Sequence, residues 1–307
     1  MPASRIRYAR LATERANSRS RDLDRMTPAG IAALMNREDR RAVAAVGRVR
    51  PQIAAATELI IAALQTGGRL FFVGAGTSGR LGVLEAAECP PTFGTPPRLV
   101  QAIIAGGRGS VFRSREGAED DEAAARSVVR ARVRRGDVVV GVSASGVTPF
   151  VRTALTVARR QGAATVLVAC NAEGAHGSRS ATNLSVVPVT GPEVLAGSTR
   201  LKAGTATKLV LNTLTTAAMA GLGRVYGNRM VDLQPRSAKL YERALGLIAD
   251  LGEVSRKRAR AALRASGGRV RVAIVMASRG GNAVEAARAL RAAGGSLRSA
   301  LQKPRRK

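Results

Sequence analysis

The chain has no tryptophan, three tyrosines and five phenylalanines. Its core must therefore come from Ala, Val, Leu and Ile. The aromatic interleaving on which single-stranded nucleic acids stack is missing. A single histidine, His176, argues against a zinc site. Two cysteines, Cys89 and Cys170, cannot build a disulfide framework. Cys170 ends an apolar run and reads as core, whereas Cys89 precedes Pro90-Pro91 beside a candidate acid, which leaves it open to a place near a pocket. No run of 18 or more apolar residues suggests a membrane span, and no apolar N-terminal stretch looks like a signal peptide. A reducing cytoplasm is the expected location.

Acidic residues are also scarce, 21 against 50 Lys and Arg, for a formal charge of +29. Such a balance can mark a polyanion binder. Here the arginines are scattered through almost every helix-like segment, so the excess reads as a general compositional bias. No specific nucleic-acid partner is expected. The tail Lys303-Pro304-Arg305-Arg306-Lys307 reads as a solvated terminus.

What the chain does have is 307 residues, 33 glycines and a 45% hydrophobic fraction, enough for a large α/β domain and a smaller helical part. The pattern predicts a short helix over 28–36, a second from about 39, and a restart at Pro51. Short apolar strands are expected at 69–73, 99–104, 137–142, 164–169 and 184–189. Pro188 marks the last as an edge or a strand end. Helices are expected from the first glycine loop to Glu88, stopped by Pro90-Pro91, and over 120–134, 149–160 and 202–222. Residues 236–302 read as mostly helical, with an apolar run of ambiguous type at 270–276. Continuous apolar strands alternating with helices indicate a doubly wound parallel sheet. The expected parts are an N-terminal helical segment (1–58), a central α/β domain (59–235) and a small helical domain with a basic tail (236–307).

Two loops at expected strand ends carry the chemistry. Gly74-Ala75-Gly76-Thr77-Ser78-Gly79-Arg80 lacks both the dinucleotide Gly-x-Gly-x-x-Gly spacing and the Gly-Lys-Ser/Thr ending of a P-loop. Ser143-Ala144-Ser145-Gly146-Val147-Thr148-Pro149 is its partner. Hydroxyls beside helix-start amides suit a single terminal phosphate. Ser198-Thr199-Arg200-Leu201-Lys202 is a third polar segment entering a helix. Glu88 precedes a stiff Cys-Pro-Pro turn. Glu119 lies among Glu116, Asp120 and Asp121, and position alone does not choose between the four. Glu193 reads equally well as structural or functional. Asn228, Asp232 and Lys239 are weak candidates, and His176 is not expected to be catalytic.

These stretches resemble the N-acetylmuramic acid 6-phosphate etherase family of the sugar isomerase (SIS) superfamily. The resemblance rests on residues 74–82, 88–94, 116–120, 143–146, 191–195, 197–205 and 228–232, with Thr13-Glu14 and Asp22-Leu23-Asp24 upstream. It implies a parallel-sheet SIS sandwich fold, α/β in class, with N-terminal helices and a small helical C-terminal domain. It further implies cleavage of the lactyl ether to N-acetylglucosamine 6-phosphate and D-lactate, in peptidoglycan-sugar recycling. A phosphorylated amino sugar is the expected ligand and a homodimer the expected assembly, without metal or redox cofactor. Glu88 is then the acid and Glu119 the base. Thr77, Ser78, Gly79, Ser143, Ser145, Gly146 and Thr148 are the expected phosphate-site residues. Ser198, Thr199 and Lys202 are expected to close the pocket or meet the lactyl carboxylate. One departure stands out: related enzymes commonly carry Arg where this chain has Val147. Arg80 or another arginine is a candidate to supply that charge. The rival readings are a non-catalytic SIS protein that senses a sugar phosphate and an aldose–ketose isomerase. A SIS transcription factor would need a DNA-binding domain, and none is evident in the N-terminal segment.

Overall fold

The computed structural model describes residues 11–302, so the basic tail lies outside the described residues. By internal contacts the chain divides into two compact units. One comprises Met1–Ala87 and Arg98–Thr215, the other Glu88–Pro97 and Thr216–Lys307.

In the first unit, helix α1 (Pro28–Arg48) opens on Thr27, whose hydroxyl accepts from the Gly30 amide, with proline at the first helical position. The expectation of a break near residue 36 was wrong. Leu34, Glu38, Ala42 and Ala45 are buried along one continuous face, and that face carries the helix through Asn36. Helix α2 (Arg50–Gln65) restarts at Pro51 as expected and buries Ile53, Ala56, Ile60 and Leu64. Strand β1 (Leu70–Gly74) follows, then helix α3 (Gly76–Phe93). Strand β2 (Val100–Ile104), helix α4 (Glu122–Arg132), strand β3 (Val138–Val142) and helix α5 (Pro149–Arg160) come next. Strand β4 (Ala164–Val168), the short helix α6 (Ala172–His176) and strand β5 (Leu184–Val186) complete the sheet. Helix α7 (Lys202–Gly221) leads out of it.

The five strands are all parallel, in the order β2-β1-β3-β4-β5. Strands β1 and β3 are buried at every position, as their unbroken apolar runs require. Side chains alternate across the sheet. Phe71, Val73, Val139 and Leu167 join the buried faces of α4 and α5. Phe72 points the other way, where a Cβ on Gly82 of α3 would come within 2.7 Å of it. Helices thus cover both faces. Strand β5 is an edge, and Pro188 lies just beyond its end.

Helix α3 does not stop at Pro90-Pro91. Both prolines lie in its last turn, and the Gly94 amide still reaches the Pro90 carbonyl at 3.0 Å. A proline costs most in a helix interior, where it removes a bond and crowds the preceding turn. Here each proline withholds a donor from the carbonyl four residues back, that of Ala86 or Ala87, and the helix nonetheless runs on to Phe93.

The second unit is helical. A two-residue hairpin, β6 (Val225–Tyr226) with β7 (Arg229–Met230), precedes helices α8 (Ala238–Gly252), α9 (Arg256–Ala265), α10 (Val270–Arg279), α11 (Ala283–Ala292) and α12 (Leu297–Leu301). The ambiguous run at 270–276 is therefore helix, and Val270, Val272, Ala273, Ile274 and Val275 fill the centre of this unit's core. Helix α8 ends at Glu253 in the left-handed region (φ 52°), and α11 begins with an Asn282–Glu285 capping box.

Candidate functional site

Ligands in open parallel sheets sit beyond the carboxyl ends of the strands, where the strand order reverses. In the order 2-1-3-4-5 that point lies between β1 and β3. The two hydroxyl-rich loops leave those two strands.

After β1 the chain turns into α3 within two residues. A Cβ at Gly79 would come within 2.6 Å of Ile104 Cγ1 and 2.7 Å of the Gly74 carbonyl, so only glycine lets helix and strand meet this closely. Thr77 and Ser78 occupy the first helical turn, where backbone N–H groups have no partner within the helix. Gly79 itself is buried and acts through this packing.

The loop after β3 is organised by Ser143, whose side chain is buried. Its Oγ lies 2.8 Å from Thr148 Oγ1 and 3.3 Å from Ser145 Oγ, and it accepts the Gly146 amide at 3.0 Å. Gly146 has φ +75°, and a Cβ there would press against the Ala175 amide nitrogen at 2.8 Å. Thr148 is the N-cap residue of α5 yet makes no side-chain cap bond, so its hydroxyl turns to Ser143 instead.

These loops border a cavity of about 380 Å³. Thr77, Ser78, Ser145, Thr148 and Thr199 line it, with Glu119 and Asp120 at its acidic side. Val147 is buried in its wall. Among the described residues no Lys or Arg side chain lines this cavity, so an anion there meets hydroxyls and helix-start amides, with the carboxylates of Glu14, Glu119 and Asp120 at its border. Arg80 does not supply the charge that Val147 lacks: it lines a neighbouring cavity instead. Ser143, Gly79 and Gly146 support the loops without lining the space.

Glu119 lies in a short 3-10 turn, Ala118–Asp120, entered through Gly117 in the left-handed conformation (φ 73°). The four acids left open by sequence part company here. Asp121 caps α4 by accepting the Ala124 amide at 2.8 Å. Of these two cavities Glu116 lines the neighbouring one and Asp120 the hydroxyl-rich one, whereas Glu119 lines both.

Glu88 is exposed on α3 and belongs to the second unit; it lines neither cavity. The turn that follows it is firmly held within that unit. Arg224 donates to the Phe93 carbonyl at 3.1 Å and to Asp232 Oδ2 at 2.9 Å, and Arg271 pairs with the same carboxylate at 2.8 Å. Asp232, a weak candidate by sequence, is thus an anchor for the Cys-Pro-Pro turn.

Lys202 is not brought to the cavity. Its ammonium lies 2.5 Å from Glu38 Oε2, with both side chains almost fully buried. The Lys202 and Ala203 amides donate to Glu193 at 3.0 and 2.9 Å, so this carboxylate caps α7. Burial pushes the Glu193 carboxyl above its ordinary value, although the two amides pull against it. Burial also works to raise Glu38, but hydrogen bonds from Lys202 and Asn17 outweigh it and leave that carboxyl below its ordinary value. Ser198 likewise does not line the cavity, whereas its neighbour Thr199 does.

The structure adds two residues that carry no role in the sequence pattern. Leu11 and Glu14 line the hydroxyl-rich cavity, fixed by the Gly197 amide donating to the Thr13 carbonyl at 3.1 Å. The Thr13-Glu14 match in the N-terminal stretch was the available signal. Cys170 is buried, and its thiol is pushed up to about 12 by desolvation. Cys89 is buried as well. Among the described residues no cluster of His, Cys, Asp and Glu could hold a metal ion, and no helix is long and apolar enough to cross a membrane.

Residues 52–159 match the family model of the glucokinase regulatory protein N-terminal SIS domain. The chain is 47% identical over 293 residues to N-acetylmuramic acid 6-phosphate etherase of Picosynechococcus sp., covering 95% of this chain and 97% of that one. It is 54% identical over 269 residues to the enzyme of the same name from Gloeobacter violaceus, covering 87% of each. The Geobacillus thermodenitrificans counterpart shares 52% identity over 267 residues, 87% of this chain and 90% of its own. Among solved structures, phosphoheptose isomerase from Neisseria gonorrhoeae aligns with 62% of this chain and 97% of its own at TM-score 0.46 and 20% identity.

Proposed function

The chain belongs to the N-acetylmuramic acid 6-phosphate etherase family, and we propose that it cleaves the D-lactyl ether of N-acetylmuramic acid 6-phosphate to N-acetylglucosamine 6-phosphate and D-lactate. The observation that carries the reading at the site is the hydroxyl-lined cavity at the β1/β3 switch point with Glu119 on its wall.

An alkyl ether is a poor target for direct displacement. In the open-chain sugar, however, the C1 aldehyde acidifies the C2 proton. Glu119, as carboxylate, takes that proton. The electron pair forms the C2=C3 bond as the C3–O bond breaks, and Glu88, assigned on the family resemblance alone, protonates the departing lactate oxygen. Water then adds at C3, giving one proton to Glu88 and hydroxide to carbon, while Glu119 returns a proton to C2. Both acids end as they began, as general acid–base catalysis requires. Thr77, Ser78, Ser145 and Thr148 hold the 6-phosphate, with Ser143 and the two glycines shaping their loops. Thr199 closes the pocket beside them. This reading includes a homodimer at work in cytoplasmic peptidoglycan-sugar recycling, on the strength of the family resemblance.

The test is incubation with N-acetylmuramic acid 6-phosphate and mass-spectrometric measurement of both products. Equimolar release, lost in Glu88→Gln and in Glu119→Gln, supports the assignment. Tight sugar-phosphate binding without release favours the sensor reading.

A further inference from the structure

We propose that the cavity adjoining the hydroxyl-lined one is a carboxylate subsite, with Arg80, Arg115 and Ser110 receiving the carboxylate of the lactyl group. The proposal rests on the etherase reading above and specifies how its leaving group is recognised.

The second cavity, of about 470 Å³, shares Ala75, Gly76 and Glu119 with the first. A ligand with its phosphate among the hydroxyls therefore reaches Glu119 and, beyond it, the second space. The two spaces differ in charge. Among the described residues no cationic side chain lines the hydroxyl-rich cavity, whereas Arg80 and Arg115 both line the second. Neither arginine forms an ion pair among the described residues. A substrate with two anionic ends suits this arrangement. The tetrahedral phosphate takes convergent hydroxyls and amides, and the planar carboxylate takes guanidinium forks.

The guanidinium of Arg80 is pre-set. Its Nε donates to the Val111 carbonyl at 2.9 Å and its Nη2 meets Ser114 Oγ at 3.3 Å, which leaves further N–H groups uncommitted. Arg115 makes only a long contact to the Gly106 carbonyl, 3.5 Å. Ser110 lines the same cavity and is 5% exposed, and its buried hydroxyl has no hydrogen-bond partner among the described residues. An unmatched buried hydroxyl is costly unless something arrives to bond it. Glu116 and Glu119 share this wall, so the two arginines also offset repulsion between an incoming carboxylate and the base. The lactyl carboxylate is the group that substrate has and sugar product lacks. A subsite here distinguishes the two and aligns the bond that breaks.

Binding of N-acetylmuramic acid 6-phosphate and of N-acetylglucosamine 6-phosphate is measured by calorimetry in a Glu119→Gln background, with and without Arg115→Met. The expected result is at least tenfold weaker binding of the lactyl sugar, with the affinity of the product sugar changed less than twofold. Arg115→Lys should restore part of the loss, which a merely structural role would not produce. Equal weakening of both ligands, or of neither, overturns the proposal. Lactate release by the wild-type protein is followed separately. Its absence, with the binding difference intact, sinks the etherase reading and leaves the carboxylate subsite standing.

Discussion

The ammonium of Lys202 and the carboxylate of Glu38 are 2.5 Å apart, each almost wholly removed from water and separated by 164 positions in sequence. Removing Lys202 takes from Glu38 its one buried cation and leaves Asn17 and the half-exposed Arg41 and Arg19, at a cost of up to about 3–5 kcal/mol. Lys202→Met should therefore be strongly destabilised in urea unfolding, and Lys202→Met with Glu38→Leu should recover most of the loss. Among molecules that stay folded, KM should barely move. A large rise in KM with stability intact would place Lys202 on the substrate after all.

The same network sets an acid limit to stability. Glu38 holds its proton less tightly when folded than at its ordinary value of 4.5, so between those two values the unfolded chain binds more protons. Stability then rises with pH through that window, and its Glu38 share is lost as pH falls. Glu193 acts in the opposite sense: its raised carboxyl favours the folded state on acidification and loses that contribution as pH climbs through the folded value. Glu38→Gln should accordingly flatten the acid limb of a stability–pH curve below about 4.5. An unchanged acid limb in Glu38→Gln would assign the effect to other carboxylates.

Val147 stands in the wall of the phosphate cavity, and among the described residues no Lys or Arg lines it. Val147→Arg should lower the dissociation constant for N-acetylglucosamine 6-phosphate about tenfold at low salt, a charge-assisted contact being worth roughly 1.5–3 kcal/mol before the cost of lost packing. The gain should shrink as salt is added. Val147 packs against the α6 backbone, where a Cβ on Gly174 would lie 3.1 Å from its Cγ1. Some stability is therefore expected to be lost. Salt-independent affinity would mean that the new guanidinium faces away from the cavity.

Much of the sheet was legible because its signals are local. Five apolar runs became five parallel strands, and Pro188 fell at the edge. The hydroxyl loops were legible for the same reason: Thr77, Ser78, Ser145 and Thr148 announce a polar helix start wherever they occur. What was hidden depends on distant partners. Nothing near Lys202 says that Glu38 will neutralise it. Nothing near Glu14 says that Thr13 will accept from Gly197 and bring the segment to the cavity. Glu119 could not be separated from its acidic neighbours until Asp121 was seen to cap α4. The prolines misled by only a few residues, since α3 ends at Phe93, just after them.

Thr148 offers the sharpest test of the phosphate loop. Its hydroxyl, 2.8 Å from Ser143 Oγ, makes no helix-cap bond and lines the cavity. Thr148→Val keeps the shape and removes the donor. Loss of one hydrogen bond to a charged ligand is worth roughly 1.5–3 kcal/mol, so KM should rise at least tenfold. The 6-phosphate does not change during elimination, so the contact is equal in ground and transition states and kcat should stay nearly constant. Ser143→Ala should differ, because Ser143 also accepts the Gly146 amide and its loss loosens the whole loop. That variant should lose stability by about 1 kcal/mol along with affinity. A fall in kcat with KM unchanged in Thr148→Val would move this hydroxyl from holding the phosphate to the reacting end of the sugar.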